Sequence, residues 1–157
     1  MKIIYSLILM TSCLFIHPVH AETLYHVTFK NSSSKHLYIH RDGDYCMNDA
    51  GNLDIDIPKS ESKTMNLKDS DGFFNCRIAD RYVNWSVRYP YGENIADCKL
   101  SFNVKVITMG GGPRTWNVKI SGCDELVKEA TCGELACHNK FVDYYDMKNK
   151  NIDITFQ

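Results

Sequence analysis

Apolar and polar residues alternate with a period of two along most of this chain. In the stretch VNWSVRY, residues 83–89, every second residue is apolar and those between are polar. Such alternation is typical of a strand with one buried and one solvent-facing side. It predicts at least seven strands, over residues 24–30, 35–40, 53–57, 83–89, 99–106, 115–120 and 151–156.

Strands of this kind, separated by turn-rich loops, predict a mainly all-β fold, a single antiparallel β-sandwich. Both tryptophans, Trp85 and Trp116, are in phase with aliphatic neighbours, so we expect both indoles to be buried. One short helix is predicted near the C-terminus, from Asp124 to about Thr131. Ser121 and Asp124 resemble a capping box before it, and Gly133 is a suitable stop after it.

The first two predicted strands flank the short segment NSSSK, which favours a hairpin. Matching their buried faces puts His26 directly opposite His40, with His36 close by. Three imidazoles on one wet surface are weak candidates for a transition-metal site. The alternative is that they are solvated side chains of a polar face, and no cofactor is expected.

Residues 1–21 have the pattern of an export signal peptide. Lys2 precedes an apolar run, and Val19 and Ala21 form a small-residue cleavage pattern. The run is too short for a transmembrane helix. A lipid-attachment motif around Cys13 is the alternative, but Met10 fits it poorly. We therefore expect one domain, residues 22–157, that is secreted or periplasmic and carries no transmembrane segment.

One of the seven cysteines, Cys13, lies in this leader, which leaves six in the domain. An even number behind a signal peptide predicts three disulfides. Matching the buried faces of the strands on either side of MGGGPRTW brings Cys98 close to Cys123. The remaining pairs are expected to be Cys132–Cys137, which closes a local loop, and Cys46–Cys76.

Charge and motifs exclude several classes of function. The formal net charge is −1, and no block of like charges indicates a nucleic-acid partner. The acidic stretch RDGDYCMNDAGNLDID lacks the glycine and terminal glutamate of a calcium loop. No GxSxG motif occurs, and disulfides can occupy every cysteine of the domain. The sequence therefore favours a binding protein over an enzyme, although a hydrolase with an unmarked site stays open.

The aromatic stretch RYVNWSVRYPYGEN is the best candidate for a binding surface. Tyr82, Arg88 and Tyr91 do not alternate onto the buried face, and Arg114 lies beside the glycine-rich loop tip. Exposed tyrosine and arginine around a Pro-Gly turn are common in surfaces that recognise sugars or proteins. The alternative is a turn that packs its own tyrosines.

The last residues, KNKNIDITFQ, form an alternating strand with Phe156 in the penultimate position. This end resembles the C-terminal strand of chaperone–usher pilin subunits, secreted sandwiches polymerised by strand exchange. The resemblance covers about ten residues. The domain has six cysteines where such pilins usually have two, so no family is assigned.

These features together predict a secreted bacterial binding protein or effector, expected to be a monomer. Its ligand would be a host or cell-surface protein or glycan. The alternative is a periplasmic inhibitor or immunity protein that blocks an enzyme.

Overall fold

The computed structural model describes residues 23–70, 76, 79–91, 94–106, 114–121, 125–143 and 151–157. These residues form twelve β-strands and no helix. All seven predicted strand segments are confirmed. The strands are β1 (Leu24–Asn31), β2 (Leu37–Tyr45), β3 (Met47–Asp49), β4 (Asp54–Ile57), β5 (Ser62–Asp69), β6 (Arg81–Tyr91), β7 (Asn94–Val106), β8 (Arg114–Ser121), β9 (Val127–Cys132), β10 (Leu135–Ala136), β11 (Val142–Asp143) and β12 (Asn151–Phe156).

The strands form two six-stranded sheets. The first has the order β10-β9-β12-β1-β5-β3, and the second has the order β11-β8-β7-β6-β2-β4. Strands β1 and β12 pair in parallel, whereas the other strand pairs are antiparallel. The prediction of a purely antiparallel fold is therefore wrong in this pair, because alternation reports which side of a strand is buried and not its direction.

The core lies between the two sheets and contains buried residues from both. Tyr25 on β1 contacts Phe102 on β7 edge to face, with ring centroids 5.3 Å apart. Phe29 on β1 contacts Trp85 on β6 in the same way at 5.5 Å. Trp85 is fully buried, as predicted. The side chain of Trp116 lies outside the described residues.

The predicted hairpin between the first two strands is wrong, because β1 and β2 belong to different sheets. The buried side chain of Asn31 organises the crossing. Its Nδ2 donates to the carbonyls of Lys35, Ile57 and Pro58 at 2.7, 3.0 and 3.0 Å. Its Oδ1 accepts from the Ser33 backbone and hydroxyl at 3.0 and 2.6 Å. Face matching cannot distinguish a hairpin from a crossing between facing sheets, since both bury the same residues.

The predicted helix from Asp124 to Thr131 is also wrong within the described residues. Residues 127–132 form β9, which pairs with β12. The register places Glu129 opposite Thr155 but Val127 opposite Phe156, so Lys128 is an extra residue. This bulge leaves Val127 and Ala130 buried with a helix-like spacing of three. Ser121, interpreted from the sequence as the start of a capping box, instead ends β8.

Two predicted disulfides are confirmed. Cys46 bonds to Cys76, which ties the end of β2 to the segment before β6, and Cys132 bonds to Cys137 between β9 and the chain after β10. Cys98 is also disulfide-bonded. Its predicted partner, Cys123, lies outside the described residues.

A buried ion pair joins the sheets at one end. Asp69 on β5 and Arg81 on β6 have no exposed side-chain surface, and Oδ2 of Asp69 lies 3.4 Å from Nε of Arg81. The carboxylate also accepts from the Thr23 backbone at 2.6 Å and the Tyr25 hydroxyl at 3.2 Å. Buried charges are tolerated where such hydrogen bonds replace water.

Nowhere in the described ranges is there a helix long and apolar enough to cross a membrane.

Replacing Asn31 with alanine tests the crossing between the sheets. The Asn31→Ala variant removes the donor for three carbonyls and the acceptor for Ser33, so we expect a loss of about 2–4 kcal/mol in unfolding free energy. Urea denaturation followed by tryptophan fluorescence measures it. Asn52→Ala, at an exposed loop position, is the matched control. Equal stability of the two variants would show that Asn31 does not hold the crossing.

Candidate functional site

The outer surface of the second sheet carries an unusual set of side chains. Because Val83, Trp85 and Val87 point into the core, Asn84 and Ser86 must point outward. Neighbouring β7 and β8 follow the same rule. The outward residues at the centre, which we call the polar face, are Asp42, Tyr82, Asn84, Ser86, Lys99, Ser101, Asn103, Asn117 and Lys119.

A bulge in β2 brings Asp42 onto the polar face. Arg41 pairs with Trp85 and Gly43 pairs with Asn84, which leaves Asp42 as the extra residue. Bulges commonly redirect a side chain in this way. The Asp42 carboxylate oxygen Oδ2 accepts from the Ser86 hydroxyl at 2.5 Å and from Lys99 Nζ at 2.8 Å. Lys99 Nζ also contacts the Ser86 hydroxyl.

These contacts shift the ionisation of Asp42. Partial burial alone would raise the pKa of its carboxyl group. The hydrogen bonds from Lys99 and Ser86, together with attraction by Lys99 and His40, outweigh burial and lower the pKa below its ordinary value of 3.8. Asp42 is therefore a fixed negative charge at neutral pH.

A chain of amides and hydroxyls crosses the polar face next to this cluster. The Ser101 hydroxyl lies 2.6 Å from Asn84 Oδ1 and 3.0 Å from Asn103 Oδ1. Nδ2 of Asn103 donates to Asn117 Oδ1 at 3.0 Å. Nδ2 of Asn103 also donates to the Ser101 carbonyl at 3.1 Å, which uses both of its N–H groups, whereas Asn84 and Asn117 have donors that these contacts do not use. The contacts therefore fix the orientation of the groups and leave hydrogen-bonding capacity for a ligand.

Aromatic rings border the polar chain. Tyr82 on β6 stacks on Tyr45 at the end of β2, with centroids 5.8 Å apart and ring planes inclined by 22°. On the other side, Lys105 Nζ lies 6.0 Å from the centroid of the Phe141 ring. Tyr45 and Phe141 are 45% and 47% exposed, so each offers a ring to a ligand.

Two clefts open onto this surface. One has a volume of about 500 Å³ and reaches from Asp42 to Lys119. The other, of about 470 Å³, reaches from Asp80 to Phe141. They share Tyr82, Asn103 and Lys119, so they form adjoining parts of one groove. Both volumes fall within the ordinary range of small-ligand sites.

A third cleft of about 750 Å³ lies on the same sheet, toward the β4 edge. Its outward residues are Tyr38, His40, Asp54, Asp56 and Arg88. Tyr38 is opposite Arg88 in the β2–β6 register, and His40 Nδ1 lies 2.7 Å from Asp54 Oδ1. This cleft has two carboxylates, as the groove does, but lacks the amides of the groove.

The sequence-predicted binding residues are distributed between these features. Tyr82 lines both clefts of the groove, and Arg88 lines the third cleft. The side chains of Tyr91 and Arg114 lie outside the described residues. The amides and hydroxyls of the polar face were missed. A visible signal was present, since Asn and Ser, rather than Lys and Glu, occupy the polar positions of NWS and LSFNV.

The predicted surface of three histidines is wrong, because β1 and β2 lie in different sheets. His26 contacts Asn66 in the first sheet, with 2.7 Å between Nδ1 and Oδ1. His36 and His40 pair separately with Asp56 and Asp54 at 3.3 and 2.7 Å. In the described part of the chain, no three His, Cys, Asp or Glu side chains form a group that could hold a metal ion.

No protein-family model matches this chain, and a search of curated proteins found no match. Its function must therefore be inferred from the chemistry of the surface itself.

The Asp42–Ser86–Lys99 cluster could be taken for a nucleophilic site, since a lysine lies beside a serine hydroxyl. Its contacts favour another role. Lys99 Nζ donates hydrogen bonds to the Asp42 carboxylate and to the Ser86 hydroxyl, so it is not arranged as an acceptor for the hydroxyl hydrogen of Ser86. The Ser86 hydroxyl in turn donates to the carboxylate. The cluster fixes charges and hydrogen-bonding groups on a rigid sheet, which suits binding.

The lowered pKa of Asp42 predicts a pH-dependent contribution to stability. A carboxyl group with a lowered folded pKa stabilises the protein above its unfolded pKa, and this stabilisation disappears as pH falls through the folded pKa. Asp42→Asn should therefore unfold at lower urea concentration than the unmodified protein at about pH 7, and the gap should close in strong acid, below the folded pKa of Asp42.

Asp143→Asn, at an exposed position of β11, is the control and should leave the urea midpoint unchanged. A gap between Asp42→Asn and the unmodified protein that stays constant over this pH range would contradict the assignment of the Asp42 charge.

Proposed function

We propose that this protein is an exported, non-enzymatic carbohydrate-binding protein whose polar face recognises a cell-surface or host glycan. The observation that carries the proposal is the ordered chain of amides and hydroxyls beside the stacked pair of Tyr45 and Tyr82.

Sugar-binding sites need hydrogen-bonding groups and an aromatic ring close together. Each sugar hydroxyl both donates and accepts hydrogen bonds, and asparagine and serine side chains also offer both functions. The C–H face of a pyranose ring is apolar and packs well on an aromatic ring. Tyr82, in the middle of the groove and backed by Tyr45, supplies such a ring. A glycan would thus find stacking and hydrogen bonding within one groove.

The lining favours a glycan over a protein partner. The buried centre of a protein interface is usually apolar and poor in charged residues. Here the centre of the groove is formed by Asn84, Ser101 and Asn103, with lysines on either side. The groove also lies on strands of a disulfide-bonded sandwich. Binding would therefore cost little ordering of the backbone.

The cysteine chemistry supports an exported location. Disulfides such as Cys46–Cys76 persist in oxidising compartments, which include the periplasm and the extracellular space. The signal-peptide pattern of residues 1–21 points the same way.

A glycan array probed with the fluorescently labelled domain tests the proposal, followed by calorimetry with the bound sugar. Tyr82→Ala should weaken binding by ~1–2 kcal/mol, a factor of roughly 5–30, because the stacking ring is lost. Tyr38→Ala, which removes an exposed tyrosine from the same sheet outside the polar face, should bind like the unmodified protein.

Asn84→Ala is a second test that leaves the aromatic pair intact, and thermal unfolding checks the fold of each variant. An unmodified protein that binds no glycan on the array would refute the proposed function. Full binding by both Tyr82→Ala and Asn84→Ala would show that the polar face is not the site.

A further inference from the structure

We infer that the glycan is acidic and that its carboxylate or sulfate group binds Lys119, an inference that rests on the proposed function. The geometry of the groove, its charge and the position of Asp42 each contribute to it.

Lys119 occupies the junction of the groove. It lies on β8 opposite Ser101 on β7, and it lines both clefts. Its side chain is exposed, and among the residues that the structure describes it forms no ion pair. Lys99, on the other side of Ser101, differs because Asp42 neutralises it at 2.8 Å. Lys119 is thus the ammonium group at the centre of the groove that is available to a ligand.

The charge of the groove is opposite to that of the chain. The whole chain has a formal net charge of −1. The two clefts together carry three exposed lysines against two aspartates, and the buried Arg81 is balanced by Asp69. The charged residues that face the groove are Lys99, Lys105, Lys119, Asp42 and Asp80. A positive groove on an acidic protein attracts anions and disfavours cations.

Asp42 determines which end of the ligand is charged. Its carboxylate is ionised at neutral pH and would repel an acidic group placed beside it. The same carboxylate accepts hydrogen bonds from neutral sugar hydroxyls. The ligand would therefore place its hydroxyls toward Asp42 and its acidic group toward Lys119, with Asn84 and Ser101 between them.

Matched sugars distinguish this inference from the proposed function. The array carries lactose beside sialyllactose and sulfated lactose, and oligogalacturonate beside its carboxyl-reduced form. The unmodified protein should prefer the acidic member of each bound pair by roughly tenfold or more, since charge-assisted hydrogen bonds are stronger than neutral ones. Preference within the lactose set shows whether a carboxylate or a sulfate is the better ligand.

Lys119→Gln should remove this preference, because it should lower the affinity for the acidic member much more than the affinity for the neutral member. Lys63→Gln, which makes the same charge change at an exposed position of β5 in the first sheet, should retain the preference. Equal binding of neutral and acidic members by the unmodified protein would overturn this inference alone. A preference that survives in Lys119→Gln would also overturn it. Binding to no sugar would instead refute the proposed function.

Discussion

The side-chain amide of Asn31 stabilises the segment in which the chain crosses from the first sheet to the second, and the arrangement of both sheets depends on this crossing. The chain leaves the first sheet after β1 and enters the second at β2, and the crossing segment would otherwise leave several buried backbone groups without partners. Asn31 donates to three carbonyls and accepts from Ser33, so one side chain satisfies this turn. With β2 in the second sheet, β6 becomes its neighbour.

That pairing creates the polar face. Strand β6 places its apolar residues against Phe29 and the rest of the core, and alternation then directs Asn84 and Ser86 to the opposite side. The bulge in β2 adds Asp42 to the same surface. The first sheet also contains a bulge, at Lys128 in β9. Rigid strands thus position groups that a loop would hold less accurately.

Features of the fold that depend on neighbouring residues could be predicted from the sequence, whereas features that depend on distant segments could not. Strand existence and the burial of Trp85 depend on local alternation and were predicted. The pairing of the strands on either side of MGGGPRTW, which are β7 and β8, was predicted from the same alternation. The crossing after β1 and the parallel pairing of β1 with β12 depend on distant segments. Local periodicity carries no signal for them.

The candidate site was predicted only in part for the same reason. Tyr82 stood out because an aromatic residue at an outward position is conspicuous. Asp42 did not, since its partners Ser86 and Lys99 are more than forty positions away in the chain. Bulges are also difficult to recognise in a sequence. One extra residue changes the phase of the apolar–polar alternation, and no particular residue type marks its position.

Backbone amide NMR of the disulfide-bonded domain tests directly whether the polar face is the glycan-binding surface. Nitrogen–proton correlation spectra would be recorded while the glycan that binds most tightly on the array is added. We predict that the largest shift changes occur at β6, β7 and β8 around Asn84, Ser101 and Lys119, while β1, β5 and β12 change little. Shift changes centred on the first sheet would contradict it, and so would an unchanged spectrum at saturating glycan.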